Sequence, residues 1–291
     1  MKEEGLDIIV LDKLSLPHKE EPTLTAWNGV LNKIKNPKHQ TTIGLVGKYI
    51  ELKDSYKSIS EALIHAGAQN DTKVNIEWIH SETITNDNAA EKFANLDGIL
   101  VAPGFGERGI EGKISTIKFA RENNIPFFGI CLGMQAAVIE FARNILNHTD
   151  AHSTEMEANT TNPVIYLMEE QRDITEKGGT MRLGTYPCSI LEKSNAFDAY
   201  AETDISERHR HRYEFNNDYK AEFEAAGMKA TGINPENNLV EIVEIENHPW
   251  FVGAQFHPEY KSTVINPHPL FVNFVKASTI VTEQKLQAVN N

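Results

Sequence analysis

The residue with the clearest capacity for chemistry is Cys131, in the segment GICLG at positions 129–133. Residues 127–130 predict a short buried strand and residues 135–145 have a helical pattern, which places the thiol at the apex of a strand–turn–helix. Small neighbours permit the strained backbone of a nucleophile elbow and the approach of a substrate. The N-terminus of the following helix favours the thiolate, which is the reactive form. A packed core thiol is the alternative interpretation, because free cysteine is often buried.

A second candidate group, His257-Pro258-Glu259, follows a predicted strand at residues 251–256. In an extended segment residues i and i+2 face the same side, so Glu259 can orient the His257 imidazole while that ring takes the proton of a thiol. Nucleophile, base and orienter are the three parts of a catalytic triad. Taken alone, the tripeptide is more typical of a polar turn. Together with Cys131 it favours the catalytic interpretation.

The third candidate is the loop PGFG at residues 103–106, which follows a predicted strand at residues 96–102. Ligands bind at the carboxyl ends of the strands in open α/β sheets. The backbone N–H of Gly104 can therefore donate to an oxyanion, with the N–H of Leu132 as the second donor. A plain glycine-rich turn is the alternative. The loop is not a phosphate-binding P-loop, since no Gly-Lys-Ser/Thr follows it.

Strand and helix patterns alternate around these candidate groups, which predicts an α/β fold with an open, mostly parallel sheet flanked by helices. The polar, turn-rich stretch at about 150–215 predicts an accessory antiparallel region. Residues 239–246 (LVEIVEIE) alternate apolar and acidic side chains, as a half-exposed strand does. The remaining predicted strands are 42–47, 73–79, 180–184 and 186–191, and the remaining predicted helices are 55–66, 110–123 and 269–280.

Residues 1–40 differ from the rest in composition. They contain several prolines and lysines with one amphipathic stretch at 24–34, which predicts a linker and not a domain core. No internal repeat or low-complexity tract is present.

The composition excludes several classes of function. A formal net charge of −13 and a pI of about 5.3 argue against a nucleic-acid or anionic-membrane binder, which needs a basic face. Two cysteines in 291 residues are no disulfide framework. No apolar run approaches the roughly 20 residues of a membrane span, and the acidic N-terminus does not fit a signal peptide. We therefore expect a cytoplasmic protein.

These segments together resemble the class I glutamine amidotransferase family, and more narrowly the glutaminase domain of CTP synthases. The resemblance extends over residues 41–277 and implies a flavodoxin-like fold, with a domain at 41–283, a flexible tail at 284–291 and, in 1–40, a linker and the remnant of a synthase-domain tail. One departure is Pro103, where many relatives have a second glycine. The motifs are GICLGMQ (129–135), PGFGERGIEGK (103–113), GGTMRLG (178–184), RHRHRYEFNN (208–217) and NHPWFVGAQFHPEYKS (247–262).

The resemblance implies hydrolysis of L-glutamine, with Cys131 as nucleophile, His257 as base and then acid, and Glu259 as its orienter. It also implies that the activator GTP contacts Phe105 and Arg108. A solvated basic strand or a nucleic-acid patch is the alternative for residues 208–212, and the flanking acids disfavour nucleic acid. The positions implied to bind glutamine are Gly104, Leu132, Gly133, Met134, Gln135, Glu155 and Arg212.

CTP synthases carry an ATP-dependent synthase domain ahead of the glutaminase, and no Walker-type phosphate loop occurs in this chain. We therefore expect no cofactor or metal in this domain, with ATP and Mg²⁺ belonging to the synthase domain. The partner expected for the chain is that domain, in cis or in trans, receiving ammonia for the amination of UTP to CTP. Two other functions stay open: a γ-glutamyl hydrolase, and a catalytically silent regulatory or assembly module.

Overall fold

A computed structural model describes residues 4–17, 23–167 and 181–290, with side chains to residue 288. The first part of motif 178–184, through Thr180, lies outside the described residues. The helices are α1 (Leu6–Lys13), α2 (Thr25–Lys35), α3 (Lys57–Gln69), α4 (Ala89–Phe93), α5 (Ile110–Glu122), α6 (Leu132–Asn144), α7 (Asn195–Tyr200), α8 (Lys220–Ala226) and α9 (Pro269–Asn290).

The strands form two sheets. One has the order β2-β1-β3-β4-β12-β11-β10-β7-β8, and a smaller one has the order β5-β6-β9. Their bounds are β1 (His39–Gly47), β2 (Thr72–His80), β3 (Gly98–Val101), β4 (Phe127–Ile130), β5 (His152–Ser153), β6 (Pro163–Leu167), β7 (Arg182–Ile190), β8 (Asp204–His211), β9 (Tyr213–Phe215), β10 (Met228–Ile233), β11 (Val240–Ile245) and β12 (Phe251–Ala254).

The large sheet confirms the predicted α/β fold. Strands β2, β1, β3, β4 and β12 are parallel, and β11, β10, β7 and β8 continue the sheet in antiparallel pairing. The accessory antiparallel region is thus joined edge to edge with the parallel half. Although β8 is the edge strand of this half, a backbone hydrogen bond from the His257 N–H to the Arg208 carbonyl connects it to the segment that follows β12.

Helices cover both faces of the parallel half, and successive residues of each central strand pack on opposite sides. Phe127 of β4 packs with α5 and α6 and stacks on Phe251 at a centroid distance of 4.3 Å. The next residue, Phe128, packs with α3 and α9 against Phe271 and Phe274. Strands buried on both faces are the reason that this part of the sequence has continuous apolar runs.

One strand differs from the sequence prediction. The residues of β11 are not half-exposed: Glu241 is fully buried and Glu244 is 5% exposed. Both carboxylates have buried partners. Glu241 lies 2.7 Å from Arg182, and Glu244 accepts hydrogen bonds from the backbone N–H groups of Asn195 and Ala196 at the start of α7. Successive side chains of this strand therefore point to opposite faces of the sheet, and both faces are buried.

The chain termini of the described part also carry helices. Residues 284–290, which the sequence assigns to a flexible tail, continue α9, where Lys285 donates to the Leu96 carbonyl and to Asp97. The amphipathic stretch predicted at 24–34 forms α2. None of the described helices combines the length and the apolar character that a bilayer-spanning segment needs.

Candidate active site

Cys131 occupies the predicted elbow between β4 and α6. Its backbone is strained, with φ 53° and ψ −104°, and its N–H donates to the Ala254 carbonyl at 2.7 Å. The glycines on either side permit close packing of α6 on the strands. A Cβ on Gly129 would lie 2.8 Å from the Gly133 backbone, and one on Gly133 would lie 2.2 Å from the Val101 carbonyl oxygen. The elbow geometry expected from the sequence is confirmed.

His257 and Glu259 follow β12 at the same end of the sheet and are buried with Cys131. The Nδ1 atom of His257 lies 2.7 Å from Glu259 Oε1, so this nitrogen donates to the carboxylate. The backbone N–H of His257 donates to the Arg208 carbonyl of β8 at 2.8 Å. Among the described residues, the other ring nitrogen, Nε2, has no aligned hydrogen-bond partner. That nitrogen is available to the Cys131 sulfur.

The charges around His257 favour its protonated form. Burial alone would lower the pKa of this histidine. The negative charge of Cys131 and the Glu259 carboxylate outweigh burial and raise the pKa to about 11. At neutral pH His257 is therefore an imidazolium, the kind of neighbouring cation that activates a reactive cysteine.

A cavity opens beside Cys131. Gln135, on the first turn of α6, donates from Nε2 to the Tyr213 carbonyl at 3.0 Å and to Gln255 Oε1 at 3.1 Å. Gln255 in turn donates to the Cys131 sulfur at 3.7 Å. The residues that line the cavity are Gly104, Phe105, Cys131, Gln135, Glu155, Met181, His211, Arg212 and Tyr213.

The structure brings most of the predicted substrate positions to this cavity. Gly104 lies beside the elbow, since a Cβ on it would be 3.5 Å from Leu132 Cδ2. Glu155 accepts a hydrogen bond from the Gly106 N–H at 3.1 Å. Three predicted positions, Leu132, Gly133 and Met134, are outside the cavity lining and are buried in the turn or the core. Their predicted roles in substrate binding stay predictions.

Of the two positions expected to contact GTP, Phe105 lines the cavity and Arg108 does not. Phe105 is 48% exposed. The Arg108 guanidinium donates to the Lys48 carbonyl at 3.2 Å, pairs with Glu82 at 3.0 Å, and lies 5.4 Å from the centre of the Tyr49 ring. The guanidinium of Arg210 lies 5.9 Å from the centre of the Phe105 ring, and an exposed ring beside a cation suits the face of an aromatic ligand.

Several residues of the site were not identified from the sequence. Gln255 precedes His257 by two positions, so strand alternation places it on the same side. The alternation of side chains along this strand was therefore a sequence signal for Gln255 as a site residue. Tyr213 acts through its backbone carbonyl, for which a sequence gives no signal. The second cysteine, Cys188, is buried in the antiparallel region, where burial raises the pKa of its thiol.

Comparisons with known proteins agree with this geometry. Residues 51–277 match the family model described as "Glutamine amidotransferase class-I". The CTP synthase of Flavobacterium johnsoniae is 63% identical over 278 residues, which are 96% of this chain and 52% of that protein. The CTP synthase of Bacteroides fragilis is 56% identical, with the same coverage. The chain thus spans about half the length of these curated relatives.

Solved structures give the same result. The glutaminase domain of Trypanosoma brucei CTPS, with bound acivicin, has a TM-score of 0.77 and 36% identity, covering 82% of this chain and 93% of that one. A putative GMP synthase component from Thermoplasma acidophilum, at 14% identity and a TM-score of 0.53, covers 86% of this chain and 98% of its own and shares the fold. The chain belongs to the class I glutamine amidotransferases and corresponds to the glutaminase half of the CTP synthases.

Proposed function

We propose that this chain hydrolyses L-glutamine to glutamate and ammonia through Cys131, His257 and Glu259. The observation that carries the proposal is the joint burial of these three side chains beside a cavity lined by Gln135, Glu155 and Arg212. The charges suit glutamine: the Glu155 carboxylate can pair with the substrate ammonium, and Arg212 can pair with the substrate carboxylate.

In the proposed reaction the Cys131 thiolate attacks the carbon of the side-chain amide and forms a tetrahedral oxyanion. The backbone N–H groups of Gly104 and Leu132 donate to that oxyanion. The His257 imidazolium gives its proton to the departing nitrogen, and ammonia leaves behind a glutamyl thioester. His257 then takes a proton from water, which attacks the thioester and releases glutamate and the thiolate. Glu259 keeps Nε2 directed at the reacting atoms throughout.

The ammonia is proposed to serve the amination of UTP to CTP in a synthase domain that binds ATP and Mg²⁺. The curated relatives of about twice this length are CTP synthases. In this proposal residues 41–283 form the amidotransferase domain and residues 1–40 form a linker. Helices α1 and α2, both within the described part, bury none of their residues and expose apolar side chains such as Ile9 and Trp27. Such surfaces suit contact with another domain.

GTP is proposed as an activator that binds at Phe105 and Arg108. The support is the exposure of the Phe105 ring, which lines the cavity, and the position of the Arg108 cation over the neighbouring Tyr49 ring. Replacing Arg108 with methionine is expected to lower the ratio of the rates with and without GTP. An unchanged ratio would remove Arg108 from the effector site.

Labelling with acivicin, the compound bound to the trypanosomal domain, tests the nucleophile. Peptide mass spectrometry should place the adduct on Cys131 and leave the buried Cys188 unmodified. Labelling of Cys188 alone would contradict the assignment.

Glutamate release by this chain, with and without a synthase domain and GTP, distinguishes an active glutaminase from a silent module. Turnover of folate polyglutamates but not of glutamine would indicate a γ-glutamyl hydrolase.

A further inference from the structure

A fully buried lysine lies next to the candidate active site. Lys113, on α5, has no exposed surface. Lysine is almost never fully buried without a partner, because removing an ammonium group from water is costly. Among the described residues, the charged groups that act on Lys113 are Lys48 and Cys131, and no carboxylate is one of them. The burial therefore needs an explanation other than a salt bridge.

The Nζ atom of Lys113 points at the loop that carries Gly104. It donates to the Ala102 carbonyl at 2.6 Å, and it lies 3.8 Å from the position that a Cβ on Gly104 would take. On the other side of Gly104, Lys48 Nζ donates to the Phe105 carbonyl. Two ammonium groups thus hold the carbonyls on either side of the Pro103-Gly104 step.

We propose that Lys113 is a positioning residue for the oxyanion site, which it serves by fixing the Ala102 carbonyl and by supplying positive charge beside the Cys131 thiolate. The inference rests on the glutaminase function proposed above. Holding the Ala102 carbonyl in place also restrains the backbone of the turn that follows it. This matters because the Gly104 N–H stabilises an oxyanion only when it points at the developing charge. A preorganised donor needs no reorganisation during the reaction.

The electrostatics support this role. Burial, and next the neighbouring Lys48, lower the pKa of Lys113, whereas the charge of Cys131 raises it, with a result of about 7. A negative charge on Cys131 therefore favours the ammonium form of Lys113. The groups that face Lys113 come from two elements, Lys48 after β1 and Cys131 between β4 and α6. Loss of the ammonium should make thiolate formation less favourable.

A purely structural role for Lys113 makes different predictions from a positioning role. As a core residue alone, Lys113 would affect the free energy of unfolding but not the pH dependence of Cys131 chemistry. The change Lys113→Met keeps the length and volume of the side chain and removes the charge and the donor. Lys118→Met, at a half-buried position on the same helix, is the matched control.

We expect Lys113→Met to lower kcat by about ten- to a hundredfold with KM changed by less than about threefold, because a displaced donor acts mainly on the transition state. The pH profile of Cys131 alkylation by iodoacetamide should move to higher pH by about one unit, since an opposite charge is lost. Lys118→Met should match the wild type in both measurements. An unmoved alkylation profile together with an unchanged kcat would overturn the proposal.

A second variant keeps the test decisive if Lys113→Met does not fold. Lys113→Gln retains a donor for the Ala102 carbonyl without the charge, so its alkylation profile should shift while part of kcat is recovered. A wild-type profile in Lys113→Gln would contradict the electrostatic part of the role. Failure of the glutaminase proposal is distinguishable, because the wild-type chain itself would then release no glutamate with a synthase domain and GTP present.

Discussion

Two buried clusters of histidines and carboxylates lie close enough for their charges to interact, and they behave in opposite ways. The triad cluster contains Cys131, His257 and Glu259. The arginine cluster contains Arg182, His209, His211, Glu214 and Glu241. In the triad cluster the histidine pKa is raised to about 11. In the arginine cluster burial is the largest cause of a fall in pKa to about 2 for His209 and about 3 for His211.

Two differences separate the clusters: the negative charge of Cys131, which is the largest cause that raises the pKa of His257, and the partner of each carboxylate. Glu259 lies 2.7 Å from His257, which is its only ion-pair partner among the described residues. Glu241 lies 2.7 Å from Arg182 and 3.6 Å from His209. Because a guanidinium is always charged, it compensates the carboxylate and leaves the imidazoles neutral. His209 and His211 then hydrogen-bond to each other at 2.8 Å. His257 is thus charged because it faces both the negative charge of Cys131 and a carboxylate that no permanent cation has taken.

The same comparison bears on metal binding. His209, His211 and Glu241 place possible ligand atoms within 4.8 Å of one another. Arg182 contributes a positive charge at Glu241 and helps to lower the pKa of both histidines. A metal cation at this position would meet the same repulsion. The arginine cluster is therefore better described as a structural ion-pair network than as a metal centre.

Removing the Cys131 sulfur should abolish the activity of the triad cluster. Cys131→Ala is expected to lower glutamate release by on the order of 10⁴-fold or more, since no other group can form the thioester. The pKa of His257 should also fall, because Cys131 is the largest of the charges that raise it. Steady-state kinetics and NMR titration of His257 measure the two effects. Cys188→Ala is the control, and loss of activity in that variant instead would contradict the assignment.

Neutralising Glu259 tests how much the orientation of the His257 ring contributes to catalysis. Glu259→Gln is expected to reduce kcat by about 10³- to 10⁴-fold, as a misdirected tautomer does in other triads, while acivicin binding is retained. Glu241→Gln makes the same change in the arginine cluster and should leave kcat within about tenfold of the wild type. Equal losses in the two variants would mean that both clusters take part in the chemistry.

Removing Arg182 should show how much its charge contributes to the stability of the arginine cluster. Arg182→Met leaves Glu214 and Glu241 buried without a permanent cation, and removing one partner of a buried pair costs about 3–5 kcal/mol. Urea denaturation measures that loss. The double variant Arg182→Met/Glu241→Gln should recover part of the stability. No recovery would mean that Arg182 acts through its packing over the Tyr186 ring, whose centre lies 4.3 Å from the guanidinium.

The sequence predicted the triad cluster because its parts follow local rules. An elbow needs small residues around Cys131, and alternation places His257 and Glu259 on one side. The arginine cluster escaped prediction because its pairs join distant strands. From the sequence alone Glu241 has the pattern of an exposed acid, and only the pairing of the strands places Arg182 beside it. Lys113 escaped for the same reason, since its acceptor is a carbonyl on another element.

The smallest effect concerns the neutral histidines of the arginine cluster. Unfolded histidine titrates near pH 6.5, whereas the pKa of His209 in the fold is about 2. Below pH 6.5 the unfolded chain binds a proton that the folded chain does not, so stability falls as the pH falls from about 6.5 towards 2. Above about pH 6.5 this contribution is constant. His209→Gln should remove this loss.

The stability difference between His209→Gln and the wild type should therefore move in favour of the variant at acid pH, by up to about tenfold in the unfolding equilibrium constant per pH unit. The raised pKa values of Glu214 and Glu241 give the opposite pH dependence, but they are present in both proteins and largely cancel in the difference. Urea denaturation at several pH values between about 5 and 7.5 measures it. His39→Gln, at an exposed position, is the control for loss of a histidine elsewhere in the fold. A constant difference for His209→Gln would mean that folding does not change the pKa of this imidazole, and the two clusters would then differ less than their contacts imply.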